Sequence, residues 1–118
     1  MAAGVLPNHI TVVGMSKGGA IAILTASLLQ NDQVRFVLLP GCSDEILVDS
    51  ELTLAGRVLS IYEAADEMAF SCQPLFKGFS GASVFEEICR TTGLAHGEFY
   101  MPREEWIEPT VRWALAGS

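Results

Sequence analysis

A short apolar run that ends in a glycine-rich turn and continues as a helical pattern most constrains the fold of this 118-residue chain. The run, His9–Val13, is β-branched and apolar on both faces, as in strands that are buried in parallel sheets. Residues 14–20 break it abruptly, and the pattern beyond them predicts a helix to about Gln30. A strand that turns directly into a helix is a building unit of α/β folds.

Three more segments have the composition of strands and are spaced widely enough for helical connections between them. Val34–Leu39 and Arg57–Glu63 are short apolar runs, and Val84–Arg90 suits a fourth strand, with a helix as the alternative. Strands that alternate with helices indicate a parallel sheet. The chain 1–118 is therefore expected to form a single α/β domain, with a parallel sheet of about four strands and flanking helices.

Helices are expected in the connections and at the end of the chain. The segment 43–52 begins with a polar cap and two acids, as short helices often do, and 67–81 suggests a short helix followed by a surface loop. The last helix begins at Pro102, and Trp106 and Trp113 lie seven residues apart in it. This spacing places both indoles on one face, which we expect to pack against the sheet.

The helix after the glycine-rich turn has a stripe of small residues. Gly18, Ala22 and Ala26 fall at four-residue spacing and would let the helix approach a sheet closely. Most of its apolar volume in the core is expected from four larger residues, Ile21, Leu24, Leu28 and Leu29.

Composition excludes several classes of function. Hydrophobic residues make up 50% of the chain, which is too many for an intrinsically disordered protein. Seven Lys and Arg against 14 Asp and Glu give a formal charge of −7, so no nucleic-acid partner is expected. The uncharged helical stretch 18–31 is too short for a membrane span, and residues 1–7 show no signal-peptide pattern.

The three cysteines are Cys42, Cys72 and Cys89. They are odd in number and have neither the spacing of a zinc site nor that of a CxxC motif. Reduced thiols and a cytoplasmic location are therefore expected.

The glycine-rich turn carries the pattern Gly14-x-Ser16-x-Gly18 between a predicted strand and a predicted helix. A nucleophile elbow requires this context, because the chain must turn sharply and the glycines leave room for the turn. Ser16 would then project above the carboxyl edge of the sheet. The backbone N–H of Lys17, at the start of the helix, would point to the position of an oxyanion.

A serine nucleophile needs a base, usually a histidine that a carboxylate orients. His9 precedes Ser16 by seven residues. At ~3.3 Å per strand residue it is expected about 20 Å away, at the opposite edge of the sheet, which excludes it. His96 lies in a glycine-flanked loop between the last strand and the last helix, where it can reach Ser16.

Two aspartates are candidates for the acid that would orient this base. Asp66 follows the third strand, at the carboxyl edge of the sheet, and is the favoured candidate. Asp44, after the second strand, is the main alternative. The neighbouring Glu63 and Glu67 are interpreted as solvated surface acids.

Four segments together resemble the α/β-hydrolase superfamily, in particular its serine esterases and lipases. Residues 10–19 resemble the fifth strand of that fold with its elbow and helix, and 57–66 resembles the seventh strand with its acid turn. Gly93–Gly97 resembles the histidine loop, and Trp106–Trp113 the last helix. The chain order of serine, acid and histidine is also that of the family. The match covers nearly the whole chain but only the C-terminal half of the family's fold.

The resemblance implies a serine hydrolase that acts on carboxylic esters or thioesters through an acyl-enzyme. Carried over, the roles of nucleophile, base, acid and oxyanion amide fall on Ser16, His96, Asp66 and Lys17. The implied partner is a small-molecule ester or acyl substrate, and neither a metal ion nor an organic cofactor is implied. Four earlier strands, and the loop that gives the second oxyanion donor, are expected to be missing before Met1.

In the family's fold, the strand that corresponds to the one predicted at His9 pairs with one of those earlier strands. Without it, this strand would be an exposed edge, apolar on both faces, and such edges invite pairing with another chain. We therefore expect a homodimer or higher homo-oligomer through the first strand and the sheet face. The alternative function is a half-fold with little or no catalysis that acts as an assembly module.

Overall fold

The computed structural model of the protein describes residues 4–48, 52–75 and 83–115. The strands in these ranges are β1 (Thr11–Met15), β2 (Arg35–Leu39), β3 (Arg57–Glu63) and β4 (Val84–Arg90). The α-helices are α1 (Lys17–Leu29), α2 (Asp44–Leu47) and α3 (Glu104–Leu115). Short 3-10 helices span Pro7–His9, Gln73–Leu75 and Ala95–Tyr100.

The four strands pair in the order β1-β2-β3-β4, and every pair is parallel. This arrangement confirms the predicted α/β class and the predicted sheet. The strand order always advances in one direction and parallel crossovers are right-handed, so the three connections lie on one face of the sheet. The opposite face is covered by α3 and by the 3-10 helix of residues 95–100.

Each face of the sheet has its own apolar core. The core of the first face joins α1, the strands and the connections, and includes Ala22, Ile23, Ala26, Val34, Phe36, Leu38, Leu54, Val58 and Leu75. The core of the second face consists of Val37, Leu39, Leu59, Ile61 and Phe99, with Trp106 and Trp113 packed against it. The two indoles therefore share the sheet-facing side of α3 that their spacing predicts.

α1 approaches the sheet through small residues, as predicted for Ala22 and Ala26, but its larger apolar residues do not lie where they were expected. Its buried residues are Gly19, Ala22, Ile23 and Ala26. The residues expected to fill the core, Ile21, Leu24, Leu28 and Leu29, are exposed, Leu28 by 86%. Small residues face the sheet because the helix lies almost in contact with the connection after β2. No helix among the described residues is long and apolar enough to cross a membrane.

The first strand is displaced from its predicted position. Pro7–His9 forms a 3-10 turn with proline in its first positions, so β1 begins at Thr11 instead of His9. The strand then continues to Met15, directly before the serine. The prediction of a strand over His9–Val13 is therefore wrong by two residues at each end.

The other strand boundaries agree, except that β2 begins at Arg35, one residue after the predicted start, and the connections differ. β3 and β4 have the bounds predicted for them, and the helical alternative for β4 is wrong. α2 ends at Leu47, and residues 49–51 of the longer predicted helix lie outside the described residues. Within 67–81, a 3-10 turn spans Gln73–Leu75, and the part of the predicted surface loop at 76–82 also lies outside them.

Cys42 and Cys72 form a disulfide, so the expectation of three reduced thiols is wrong. The connections after β2 and after β3 run side by side at this point, and the Phe70 N–H donates to the Cys42 carbonyl at 2.8 Å. This brings two cysteines that are 30 residues apart in sequence to a Cα distance of 5.4 Å. Cys89 is a free and exposed thiol. Spacing along the chain gives no sign of such a pair, because the crossovers bring the two connections together.

β1 forms one edge of the described sheet. The Ile10 carbonyl and the Ser16 N–H both hydrogen-bond to β2. Because hydrogen-bonding groups alternate in direction along a strand, those of Thr11, Val13 and Met15 point away from β2. This edge therefore presents unpaired backbone groups beside the exposed Val13 side chain.

Candidate active site

The carboxyl ends of all four strands lie at one edge of the sheet, because the strands are parallel. The predicted site residues follow β1, β2, β3 and β4 as Ser16, Asp44, Asp66 and His96. All four therefore emerge at this edge. His9 precedes β1, at the opposite edge, and is exposed, in agreement with its exclusion as the base.

Ser16 occupies a strained turn between β1 and α1. Its φ of 56° and ψ of −115° lie outside the regions that non-glycine residues favour. Its N–H donates to the Leu39 carbonyl at 2.7 Å, which extends the β1–β2 ladder to the serine. The Ala20 N–H donates to the Ser16 carbonyl at 3.1 Å and begins the helix. A serine held between a strand end and a helix start has the geometry of a nucleophile elbow.

Glycines make this turn possible, although only one of the two motif glycines is required for it. A Cβ on Gly14 would overlap the carbonyl of Gly18, so the first glycine of the motif is required. A Cβ on Gly18 would meet no described atom within 4 Å. The second close approach is instead at Gly19, where a Cβ would lie 2.7 Å from the Gly41 Cα.

His96 joins Ser16 and Asp66 in one chain of contacts. Its Nε2 lies 3.0 Å from Ser16 Oγ, and its Nδ1 lies 2.7 Å from Asp66 Oδ2. The Asp66 side chain is fully buried and that of His96 is 14% exposed. An imidazole whose Nδ1–H donates to a carboxylate keeps Nε2 as an acceptor, here directed at the serine hydroxyl.

The Asp66 carboxylate is oriented by its own turn. Its Oδ1 accepts the N–H groups of Met68 at 2.8 Å and Ala69 at 3.2 Å. Its backbone N–H donates to the Glu63 carbonyl at 3.0 Å. These bonds leave Oδ2 free to face His96, and hydrogen bonds to an ionised carboxylate are strong enough to hold that orientation.

Asp44, the alternative acid, lies on the wall of the same cleft. It is the exposed first residue of α2, and the contact with His96 is made by Asp66. The choice that sequence reasoning left open is therefore resolved geometrically in favour of Asp66 as the partner of His96.

A cleft of about 490 Å³ opens beside Ser16 and His96. Its walls are the first turn of α1, the connection after β2 and Met68 from the turn after β3. The first N–H groups of a helix have no acceptor within the helix, so the amide of Lys17 is free to donate to a group bound near Ser16. In the described ranges, no cluster of His, Cys, Asp and Glu is placed to hold a metal ion.

Two buried carboxylates near the site are absent from the predicted set. Glu63 is 1% exposed, so its interpretation as a solvated acid is wrong, and Glu98 is fully buried with its Oε1 2.8 Å from the Arg90 Nε. A signal for Glu63 was present in the sequence. Alternation along β3 places it on the same face of the sheet as Leu59 and Ile61, which are core residues.

Comparison with protein-family models, with curated proteins and with solved structures finds no match for this chain. Its chemistry is therefore inferred from the fold and from the geometry at the carboxyl edge of the sheet.

Proposed function

We propose that this protein is a serine hydrolase of the α/β-hydrolase type that cleaves carboxylic esters or thioesters. The observation that carries the proposal is the continuous chain of contacts from Ser16 Oγ through His96 to the buried Asp66, beside an open cleft. A hydroxyl, an imidazole and a carboxylate in this order of contact are the groups by which serine hydrolases activate their nucleophile.

In the acylation step, Ser16 Oγ attacks the carbonyl carbon of the substrate while His96 Nε2 accepts the hydroxyl proton. Asp66 keeps the imidazole in the tautomer in which Nε2 is free, and it stabilises the imidazolium that forms. The bond to the leaving alcohol or thiol then breaks, and His96 returns the proton to that group. The product left on the protein is an ester of Ser16.

In the deacylation step, His96 accepts a proton from water as the water oxygen adds to the acyl carbon. The Ser16 oxygen then leaves and takes the proton back from His96, which releases the carboxylic acid. Both steps pass through an oxyanion, which the Lys17 N–H at the positive end of α1 would stabilise. One such donor typically contributes about 10²–10³ in kcat.

Esters and thioesters are proposed as substrates in preference to amides because amide hydrolysis requires stronger stabilisation of the oxyanion. Within the described residues, the free amides nearest the serine are those of the first turn of α1. An ester or thioester has a better leaving group than an amide, so its hydrolysis requires less stabilisation of the tetrahedral intermediate.

Labelling with a fluorophosphonate tests the nucleophile directly. The wild-type protein is expected to be labelled, and Ser16→Ala is expected to abolish the label. Hydrolysis of p-nitrophenyl acetate should fall by about 10⁴-fold in Asp66→Asn, because the amide no longer holds the required tautomer of His96.

Two variants are matched controls for this series. Asp44→Asn makes the same change in the alternative acid and should alter the rate by no more than a few-fold. Ser27→Ala removes a serine near the far end of α1 and should leave the labelling intact. A folded wild-type protein that is not labelled, or equal losses in Asp44→Asn and Asp66→Asn, would contradict the proposal.

The exposed apolar surface favours a second function, assembly with a second copy of the chain. We define the β1 edge surface as the open side of β1 together with the exposed Val13, Ile21, Leu24 and Leu28 side chains. It combines unpaired backbone groups with large apolar side chains, and surfaces of this kind mark protein interfaces. We propose that a homodimer or higher homo-oligomer covers the β1 edge surface, either in addition to catalysis or in place of it.

The disulfide also changes the proposed location. The cytoplasmic setting expected from the sequence depended on reduced thiols, whereas disulfides persist mainly in oxidising compartments. The Cys42–Cys72 bond therefore supports a location in which it stays oxidised.

A further inference from the structure

We propose that Glu63 is a positioning residue, whose buried carboxylate holds the turn that carries Asp66 in register with the segment that carries His96. This inference rests on the proposed function, because it concerns the pair that would activate Ser16. Glu63 itself touches none of the reacting atoms. It would act through the two segments that its side chain joins.

The two carboxylate oxygens of Glu63 are divided between these segments. Oε2 accepts the N–H of Ala65 at 2.6 Å, and Oε1 accepts the N–H of Gly93 at 2.8 Å. Ala65 directly precedes Asp66, and Gly93, with a φ of 79°, lies in the turn that leads to His96. Since a carboxylate is rigid and planar, these two bonds fix the separation of the segments.

The Glu63–Gly93 contact and the Asp66–His96 contact are separated by the same number of residues in both segments. Glu63 lies three residues before Asp66, and Gly93 lies three residues before His96. The Glu63–Gly93 bond and the Asp66–His96 bond therefore link the same two segments at equivalent positions. Fixing the first contact restricts the distance between the Asp66 carboxylate and the imidazole in the second.

Burial gives the arrangement its strength. The Glu63 side chain is almost completely removed from water. A buried carboxylate is costly to leave unpaired, and its bonds to N–H donors are short and strong. The buried carboxylate therefore depends on these two N–H donors, one from each segment.

The histidine segment has a second anchor, which limits the effect expected from Glu63. Glu98, in the same 3-10 helix as His96, accepts from the Arg90 Nε at 2.8 Å, and Arg103 lies 3.8 Å from the same carboxylate oxygen. Loss of the Glu63 contact should therefore shift the imidazole without releasing the whole segment.

Glu63→Gln is the sharpest test. The variant keeps the size of the side chain and one acceptor oxygen, but it directs an NH₂ group at one of the two backbone N–H donors. We expect the low-field proton NMR resonance of the His96 Nδ1–H to broaden or disappear. We also expect kcat for p-nitrophenyl acetate to fall about 10–100-fold with KM unchanged, as when a catalytic group is slightly misplaced.

Glu63→Asp, which is too short to reach both donors, should give the same result and replaces the first variant if that variant does not fold.

Glu87→Gln is the matched control. Glu87, on β4, also uses both carboxylate oxygens, for the Ser71 hydroxyl at 2.5 Å and for the Cys72 N–H at 2.7 Å. Neither of these hydrogen bonds involves Asp66, His96 or a residue next to them in sequence. Its loss is expected to lower the midpoint of thermal unfolding while the His96 resonance stays unchanged.

The resonance distinguishes the positioning role from the proposed hydrolase. An unchanged resonance in Glu63→Gln would overturn the role of Glu63 whatever the activity, and so would the absence of the resonance from the wild-type protein. A resonance that is present in the wild type and lost in Glu63→Gln would support the role of Glu63 even if fluorophosphonate failed to label Ser16. That last combination would contradict the hydrolase alone.

Discussion

Two of the three non-glycine residues with a positive φ in the described ranges lie at or next to residues proposed to be catalytic. Ser16 has a φ of 56°, and Ala95, directly before His96, has a φ of 53°. Such conformations cost roughly 1–3 kcal/mol each and persist only where the surrounding contacts hold them. At Ser16 the ladder to β2 and the start of α1 do so. Near Ala95 the bonds of Glu63 and Glu98 hold the two ends of the segment.

Two adjacent glycines give a prediction at this scale. Gly19→Ala places a methyl group 2.7 Å from the Gly41 Cα, so α1 must move away from the connection after β2. We expect the free energy of unfolding, measured in urea, to fall by about 1–3 kcal/mol. Gly18→Ala makes the same change where space is open, and it should be neutral or stabilise the helix by about 0.5–1 kcal/mol. Equal effects of the two changes would contradict the close approach at Gly19.

Among the elements, the connections after β2 and β3 determine the shape of the cleft. Both contribute to its wall, through residues 40–46 and through Met68. They are tied together by the Cys42–Cys72 disulfide and by the Phe70–Cys42 backbone bond. A further bond, from the Cys72 N–H to Glu87, attaches the pair to β4. The two connections that form these walls are thus held by contacts with each other and, at Cys72, with β4.

Removal of the disulfide should therefore have a large effect on stability. For a bridge that spans 30 residues, the double variant Cys42→Ala/Cys72→Ala is expected to lower the free energy of unfolding by about 3–4 kcal/mol. Cys89→Ala, at an exposed free thiol, should change it by less than about 0.5 kcal/mol. Thiol titration of the denatured wild type should detect Cys89 alone. Three titratable thiols would show that the bridge does not form.

For the molecule as a whole, apolar residues are distributed unevenly between core and surface. α3 covers the second face of the sheet over β2 and β3, whereas Val13 of β1 is 51% exposed on that face. On the first face, the outer side of α1 exposes Ile21, Leu24 and Leu28. The β1 edge surface thus has apolar side chains on both layers beside the open edge of β1, and it is the surface that we propose a second copy covers.

Charges placed on this surface test the assembly. The wild-type protein is expected to sediment as a dimer or larger species at micromolar concentration. Ile21→Glu/Leu28→Glu should shift it to a monomer, because burial of the new carboxylates without partners is costly. Val111→Glu, at an exposed apolar position of α3, is the control and should leave the assembly unchanged. A monodisperse wild-type monomer would contradict the proposal.

Local patterns in the sequence were sufficient for the existence of the four strands and for the elbow, although not for the bounds of β1. The bounds of β3 and β4 follow from short β-branched runs, and the serine turn follows from glycines between a strand and a helix. The order of serine, acid and histidine along the chain then places the three residues at one edge of a parallel sheet, because all its strands end there. These are properties of the backbone and of neighbouring residues, so the sequence alone determines them.

Only the tertiary structure decided which distant segments meet. α1 is apolar around much of its surface. The four-residue spacing indicates Ala22 and Ala26, but it does not show that Gly19 replaces Gly18 at the contact or that the large residues stay outside; the close approach of Gly19 to Gly41 decides both. The Cys42–Cys72 pairing and the bond from Glu63 to Gly93 join residues 30 apart in sequence, brought together by right-handed crossovers. Contacts of this kind depend on the path of the whole chain, and no local pattern of residues encodes them.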